Sequence, residues 1–100
     1  MFGNWTFLSN HAHVLVCLAR NPDIRSRKVA ELVGITERQV FKLLADLEES
    51  GVIIRIREGR RNHYEFHFDH KLHHPLEEDK SVRDLLKMLL SAEELLSLGL

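Results

Sequence analysis

The spacing of apolar residues along this chain changes at Gly51, and that change limits the folds open to it. Before Gly51, apolar residues recur along one helical face, at Val40, Leu43, Leu44 and Leu47. After it, apolar and polar residues alternate through residues 52–68, as in a β-strand with one buried face. The sequence therefore predicts a helix that leads directly into a β-hairpin.

The hairpin is predicted from alternation on both of its strands. On the first strand, Ile54 and Ile56 are expected on one face and Arg55 and Arg57 on the other. On the return strand, one face is expected to carry the aromatic residues Tyr64, Phe66 and Phe68. Residues 58–62, Glu-Gly-Arg-Arg-Asn, supply the glycine and asparagine that tight turns favour. An arginine pair is therefore expected at the hairpin tip.

Capping residues and breakers place the helices. A first helix is expected over residues 10–20, before Pro22, and a second over 25–33, stopped by Gly34. Thr36 and Gln39 form a capping box that starts a third helix, which ends at residues 50–51.

The last third of the chain divides into a loop and a helix. Residues 69–80 lack a period and contain Pro75, so they are expected to form a loop. A terminal helix is predicted over residues 81–98, although Ser91 and Glu94 form a second capping pattern that can interrupt it.

Two helices around a glycine turn, followed by a hairpin, are the order of a winged helix-turn-helix. The stretch RSRKVAELVGITERQVFKLLADLEESGVIIRIREGRRNHYEF, together with its basic segment REGRRNHY, resembles the winged helix-turn-helix of MarR- and ArsR-like transcription regulators. We therefore expect a mainly helical α+β fold: a winged helix-turn-helix domain over residues 1–80 and a C-terminal dimerisation helix over 81–100. The resemblance implies sequence-specific binding of double-stranded DNA by a homodimer that regulates transcription.

The predicted recognition helix, residues 36–50, carries candidate DNA-binding residues opposite its apolar stripe. Arg38 and Lys42 lie together there, and an arginine at this place can bind guanine in the major groove. Thr36 can reach a phosphate or a base edge, and Gln39 can bind adenine, although its capping role competes with that use. Phe41 is expected either to contact a thymine methyl group or to pack under a neighbouring helix.

The predicted wing, residues 52–68, is locally basic although the chain carries a net charge of −1. Its candidates for contact with the phosphate backbone or the minor groove are Arg57, Arg60, Arg61 and Asn62. The alternative is that these charges only prevent edge-to-edge pairing of the hairpin. Further phosphate contacts are expected from the start of the second helix, at Arg25, Arg27 and Lys28.

Composition and motifs exclude several classes of protein. One hundred residues suit one domain, and the longest apolar run, residues 14–19, is too short to span a membrane. The start of the chain lacks signal-peptide features, so a cytoplasmic location is expected. The single cysteine, Cys17, is predicted to be a small core residue. No phosphate loop, nucleophile elbow or catalytic triad is present, so we expect neither an enzyme nor a cofactor.

Two other functions remain open at this stage. The basic face could bind an acidic protein instead of DNA. A metal-responsive regulator is also conceivable, because the histidines His70, His73 and His74 lie near Asp69, Glu77, Glu78 and Asp79. Their spacing matches no closed zinc motif, however, and surface histidines in a polar loop are the simpler interpretation. The terminal helix has apolar residues on more than one stripe, which favours a homodimer.

Overall fold

The computed structural model describes residues 3–100, and its elements follow the predicted order. Met1 and Phe2, which belong to the predicted 1–80 domain and to the segment without signal-peptide features, lie outside the described residues. The elements are α1 (Asn10–Arg20), α2 (Ser26–Val33), α3 (Glu37–Glu49), β1 (Ile53–Glu58), β2 (Arg61–Phe66), α4 (Val82–Leu89) and α5 (Ala92–Ser97).

Helices α1, α2 and α3 pack on one another, and α4 adds to the same core through its contact with α1. Each of these four helices gives the core at least one fully buried apolar side chain: Val14 and Leu18 from α1, Val29 from α2, Val40 from α3 and Leu86 from α4. Cys17, predicted in the core, is half-buried and packs against it. Burial raises the pKa of its thiol, so Cys17 is a weaker nucleophile than a free cysteine.

Helix α2 ends at Gly34, as the sequence predicts. Gly34 adopts the left-handed conformation, with φ of 86°. This conformation is unfavourable for residues that have a Cβ atom, so glycine suits the position. Its N–H donates to the carbonyl oxygen of Ala30 over 2.9 Å and closes α2. Helix α3 begins two residues after Ile35, so the turn is short and fixes the direction of α3 relative to α2.

The hairpin has the predicted position, and its first strand carries Ile54 and Ile56 on one face and Arg55 and Arg57 on the other, as predicted. Residues that pair directly share a face, and the register pairs Ile53 with Phe66 and Arg55 with Tyr64. The core-facing residue is therefore Ile53, which is 2% exposed, whereas Ile54 is 39% exposed. The buried aromatic ring of Tyr64 on the partner strand fixes this choice. The face that meets the core is therefore the one that carries Ile53 together with Arg55.

The C-terminal segment predicted as helical over residues 81–98 forms two helices, α4 and α5, in place of one continuous helix. Leu90 is extended between them and buries its side chain in the core. Ser91 Oγ accepts a hydrogen bond from Glu94 N over 3.1 Å, and Glu94 Oε1 accepts one from Ser91 N over 2.8 Å. This capping box starts α5 and makes the break that the sequence pattern at Ser91 allowed.

The loop after the hairpin is irregular, as predicted, and its ends are tied together. Lys71 forms an isolated β-bridge with Ser81, and Val82 N donates to His70 O over 2.9 Å. These bonds hold the start of α4 beside the end of the hairpin. Within residues 3–100, no helix is long and apolar enough to cross a membrane.

Candidate nucleic-acid interface

The start of α3 is fixed by a capping box of its own residues and by a hydrogen bond from α2. Thr36 Oγ1 accepts from Gln39 N over 3.1 Å, and Gln39 Oε1 accepts from Thr36 N over 2.9 Å, which completes the predicted capping box. Ser26 Oγ at the start of α2 donates to Glu37 Oε2 over 2.5 Å. The side-chain oxygen of Gln39 is thus engaged within the helix, and an adenine contact would have to displace it or use the amide nitrogen.

The outward face of α3 presents two cations and two apolar residues to solvent. Arg38 and Lys42 are exposed one turn apart, on the side opposite the buried Val40 and Leu44. Phe41 is 56% exposed, so it does not pack under a neighbouring helix. Ala45 is exposed one turn beyond Phe41. We call Arg38, Phe41, Lys42 and Ala45 the outward patch of α3.

Acidic residues of α3 beside this patch are engaged by neighbouring elements. On one flank, Asp46 Oδ2 accepts a hydrogen bond from His11 Nε2 of α1 over 2.8 Å. On the other, Glu48 Oε1 lies 3.6 Å from Arg55 Nε of β1. These contacts engage both carboxylates and tie α3 to α1 and to the hairpin. Both contacts are exposed and add little to stability on their own.

The wing tip is a tight turn that carries one of the predicted arginines. Glu58 pairs with Arg61, so Gly59 and Arg60 are the two residues of the turn. Gly59 has φ of 62° and Arg60 does not have a positive φ, a combination that fits a type II′ turn. Arg61 therefore begins β2, and Arg57 pairs with Asn62 just below the tip. Arg57 Nε donates to Gly59 O over 3.2 Å, which stiffens the turn.

The wing is anchored to the loop between α1 and α2. Tyr64 N donates to Pro22 O over 3.1 Å, and His63 Nδ1 donates to Asp23 Oδ1 over 2.9 Å. The hydrogen bond to Asp23 raises the pKa of His63 above its ordinary value, and the charges of Asp23, Glu58 and Glu65 act in the same direction. Protonation of His63 therefore strengthens this anchor.

Helix α3, the start of α2 and the wing enclose a groove of about 1060 Å³. Apolar side chains, including those of Phe41 and Tyr64, form part of its wall. Predicted site residues that line it are Arg25, Arg27, Phe41, Arg60, Arg61 and Asn62. Those outside its lining are Thr36, Arg38, Gln39, Lys42, Arg57 and Lys28. The structure thus brings the wing tip and the start of α2 to one groove and leaves Arg38 and Lys42 on the adjoining outward face.

Most cations on and beside this groove lack acidic partners in the described structure; Arg55, which also lines it, is an exception and pairs with Glu48. Among the described residues, no carboxylate lies within salt-bridge distance of Arg25, Arg27, Arg38, Lys42, Arg57, Arg60 or Arg61. All of these side chains are exposed. Of the predicted site cations, Lys28 alone has such a partner in the described structure, Glu31 at 3.5 Å. The result is a surface of concentrated positive charge on a chain whose net charge is −1.

Sequence reasoning missed the residues that hold this surface in place. Ser26, Glu37, His11, Asp46, His63 and Asp23 make the supporting contacts. A weak signal existed for Glu37, since acidic residues are common in the first turn of a helix. Nothing in the sequence pairs His11 with Asp46 or His63 with Asp23, because the partners are far apart along the chain.

The histidine-rich loop does not assemble a metal site in the described structure. The His70 and His73 rings lie 5.2 Å apart and share a shallow cavity with Glu78 and Asp79. Within residues 3–100, however, no three histidine, cysteine or carboxylate side chains are placed to hold one ion. His70 Nδ1 donates to Lys71 O over 2.8 Å, and His74 Nδ1 accepts from Leu76 N over 3.1 Å. Both rings therefore form hydrogen bonds with backbone groups of the loop.

Comparison with known proteins agrees with this geometry. Residues 10–54, from α1 to the start of β1, match the family described as winged helix-turn-helix DNA-binding. This part of the chain is a winged helix-turn-helix. The hairpin that continues beyond residue 54 is its wing, so the predicted fold is confirmed.

Solved structures show the same fold over almost the whole chain. The chain is similar to the PcaV transcriptional regulator from Streptomyces coelicolor, solved in complex with its natural ligand. The two are 20% identical, with a TM-score of 0.51, over 99% of this chain and 73% of PcaV. At this identity the likeness shows a shared fold, and that fold is the winged-helix one expected from the sequence. No curated protein sequence matches the chain.

Proposed function

We propose that the protein regulates transcription by binding a specific double-stranded DNA site as a homodimer. The α3 region, residues 36–50, enters the major groove, and the wing, residues 52–68, contacts the backbone or the minor groove. The match of residues 10–54 to a DNA-binding family and the fold shared with a transcriptional regulator support this function.

One observation carries the proposal: among the described residues, the predicted site cations other than Lys28 have no acidic partner, whereas the carboxylates of Asp46 and Glu48 on the flanks of α3 contact His11 and Arg55. Cations held without a partner on a fixed frame are suited to the phosphates and guanine edges of a duplex. A hairpin that used charge only to prevent edge pairing would not require the further cations on α2 and α3.

Exposed apolar residues away from the groove support the proposed homodimer. Several lie in the N-terminal segment, the loop and the C-terminal helices: Trp5, Phe7, Leu76, Met88 and Leu96. Phe7 and Leu85 of α4 line one cavity, so this part of the N-terminal segment and α4 lie on the same side of the molecule. A second copy that covers this surface would set two recognition helices about 34 Å apart on an inverted repeat.

Selection of bound duplexes from a random DNA library tests the proposal, with wild type and Arg38→Ala/Lys42→Ala compared. We expect wild type to enrich an inverted repeat with half-sites about one helical turn apart, and the variant to lose enrichment at particular base pairs. Adding a chelator should leave the result unchanged, and a change would favour the metal-responsive alternative.

The opposite result is equally clear. If wild type enriches no sequence and binds duplex DNA weakly at physiological salt, regulation through a specific site is rejected. Binding of an acidic protein by the same cations would then become the leading hypothesis. Sedimentation equilibrium, with and without the selected duplex, checks the homodimer independently.

A further inference from the structure

The outward patch of α3 combines charge with exposed apolar surface. Phe41 and Ala45 lie one turn apart on the side of the patch nearest the wing, and both line the groove. Arg38 and Lys42 lie one turn apart beside them, without acidic partners among the described residues. Phe41 leaves 56% of its surface in water and so adds less to the core than a buried residue would.

This combination is selective for one kind of nucleic-acid surface. Phosphate contact alone would use the cations and gain nothing from a phenyl ring. The floor of the major groove offers guanine N7 and O6 as acceptors and a single apolar group, the 5-methyl of thymine. A phenylalanine cannot form hydrogen bonds with base edges, so its discrimination there comes from apolar contact with that methyl group.

We infer that Phe41, with Ala45 beside it, recognises thymine through its 5-methyl group and so sets specificity at one position of each half-site. The inference rests on the proposed function and adds a specificity-determining residue to it. Phe41 follows Arg38 by three residues, about 4.5 Å along the helix axis, and base pairs are spaced by about 3.4 Å. The thymine therefore lies one or two base pairs from the base that Arg38 contacts.

Replacing thymine by deoxyuridine tests this directly, because the change removes only the methyl group. Each thymine of the selected duplex is replaced in turn, and the dissociation constant is measured for wild type and Phe41→Ala. For wild type we expect one position in each half-site to lose roughly fourfold in affinity, the value of one buried methyl. Phe41→Ala should bind the thymine duplex more weakly and show no further loss on deoxyuridine at that position.

Two control variants separate the methyl contact from general effects. Lys42→Ala should weaken binding to both duplexes by the same factor and keep the methyl sensitivity. Leu32→Ala truncates an exposed apolar side chain of α2 outside the groove, and its sensitivity to deoxyuridine should equal that of wild type.

The failures are distinguishable. If a duplex is selected but no deoxyuridine weakens wild type, or if Phe41→Ala keeps the wild-type sensitivity, the inference is overturned while DNA binding stands. If no duplex is selected at all, the proposed function fails and the inference fails with it.

Discussion

The groove surface and the C-terminal helices use charge in opposite ways. Around the groove, the exposed arginines of the wing tip and of α3 lack acidic partners within the described chain. At the C-terminal helices, Arg20 Nε lies 3.0 Å from Glu94 Oε2, and Arg83 pairs with Asp69. Acidic residues there also cap α4 and α5.

The difference in charge pairing separates residues that stabilise the fold from residues that are available to bind an anionic partner. A charge that is paired, or that caps a helix, contributes mainly to the folded state. A cation held on a rigid element without a partner adds nothing to folding, and its effect appears when an anion binds. Substitutions in the two regions should therefore alter different measurements.

The largest effect on folding is expected from Leu86→Ala in α4. Leu86 is 0% exposed, and its truncation leaves a cavity in the core, so the free energy of unfolding should fall by about 2–5 kcal/mol. Urea denaturation followed by circular dichroism, at one protein concentration, measures this. Lys87→Ala, at an exposed site on the same helix, should change it by only about 0.5 kcal/mol. Equal losses from the two variants would contradict the packing of α4.

A change at the wing tip should weaken DNA binding and leave the free energy of unfolding almost unchanged. Arg60→Ala/Arg61→Ala should reduce the slope of log affinity against log salt by about 2 for each protomer, roughly one unit per lost phosphate contact. Binding should weaken evenly across sequences, while unfolding stays within about 0.5 kcal/mol of wild type. Fluorescence anisotropy at several salt concentrations checks it. Lys28→Ala, which removes a cation already beside Glu31, should change the slope less.

The same division explains how far the sequence could predict this protein. Local signals carried the fold: the capping box at Thr36, the glycine at position 34 and the switch to alternation after Gly51 placed α3 and the wing correctly. Each depends on residues a few positions apart, and neighbours along the chain suffice to determine it.

The sequence alone was insufficient where tertiary packing makes the choice. The inner face of β1 is set by Tyr64 across the hairpin, and alternation alone cannot say which set of residues points inward. The break at Leu90 is favoured by burial of that side chain as well as by the Ser91 cap. For the candidate site, the pattern of charges in the sequence indicated the cations. That each of these cations contacts DNA remains a prediction. Their supports, such as His63 with Asp23, join residues forty positions apart.

Removal of a helix cap should have a smaller effect that again differs between the regions. Ser91→Ala deletes the oxygen that accepts from Glu94 N, and it should lower the free energy of unfolding by about 1 kcal/mol while the folded protein binds DNA normally. Thr36→Ala should cost a similar amount and also weaken DNA binding, because Thr36 lies at the exposed start of α3. Denaturation and anisotropy on both variants test this. Normal binding by Thr36→Ala would remove Thr36 from the interface.

The smallest expected effect is a pH dependence of the contact between His63 of the wing and Asp23 of the α1–α2 loop. His63 gains a hydrogen bond to Asp23 in the folded protein, so its pKa is raised above the ordinary histidine value of about 6.5. A raised pKa means that the stabilisation is complete below that ordinary value and is lost as the pH rises through the pKa of the folded protein. Titration of the His63 ring by NMR should show the raised pKa, and Asp23→Asn should lower it.

A matched substitution isolates this contact from the other histidines. The difference in unfolding free energy between wild type and His63→Gln should shrink as the pH rises from about 6 to 8, because the protonated ring is the form that Asp23 stabilises. His13→Gln, where the ring contacts the neutral side chain of Asn10, should leave that pH dependence in place. If the difference instead grows with pH, the neutral ring must be the anchored form, and protonation would release the wing from the α1–α2 loop.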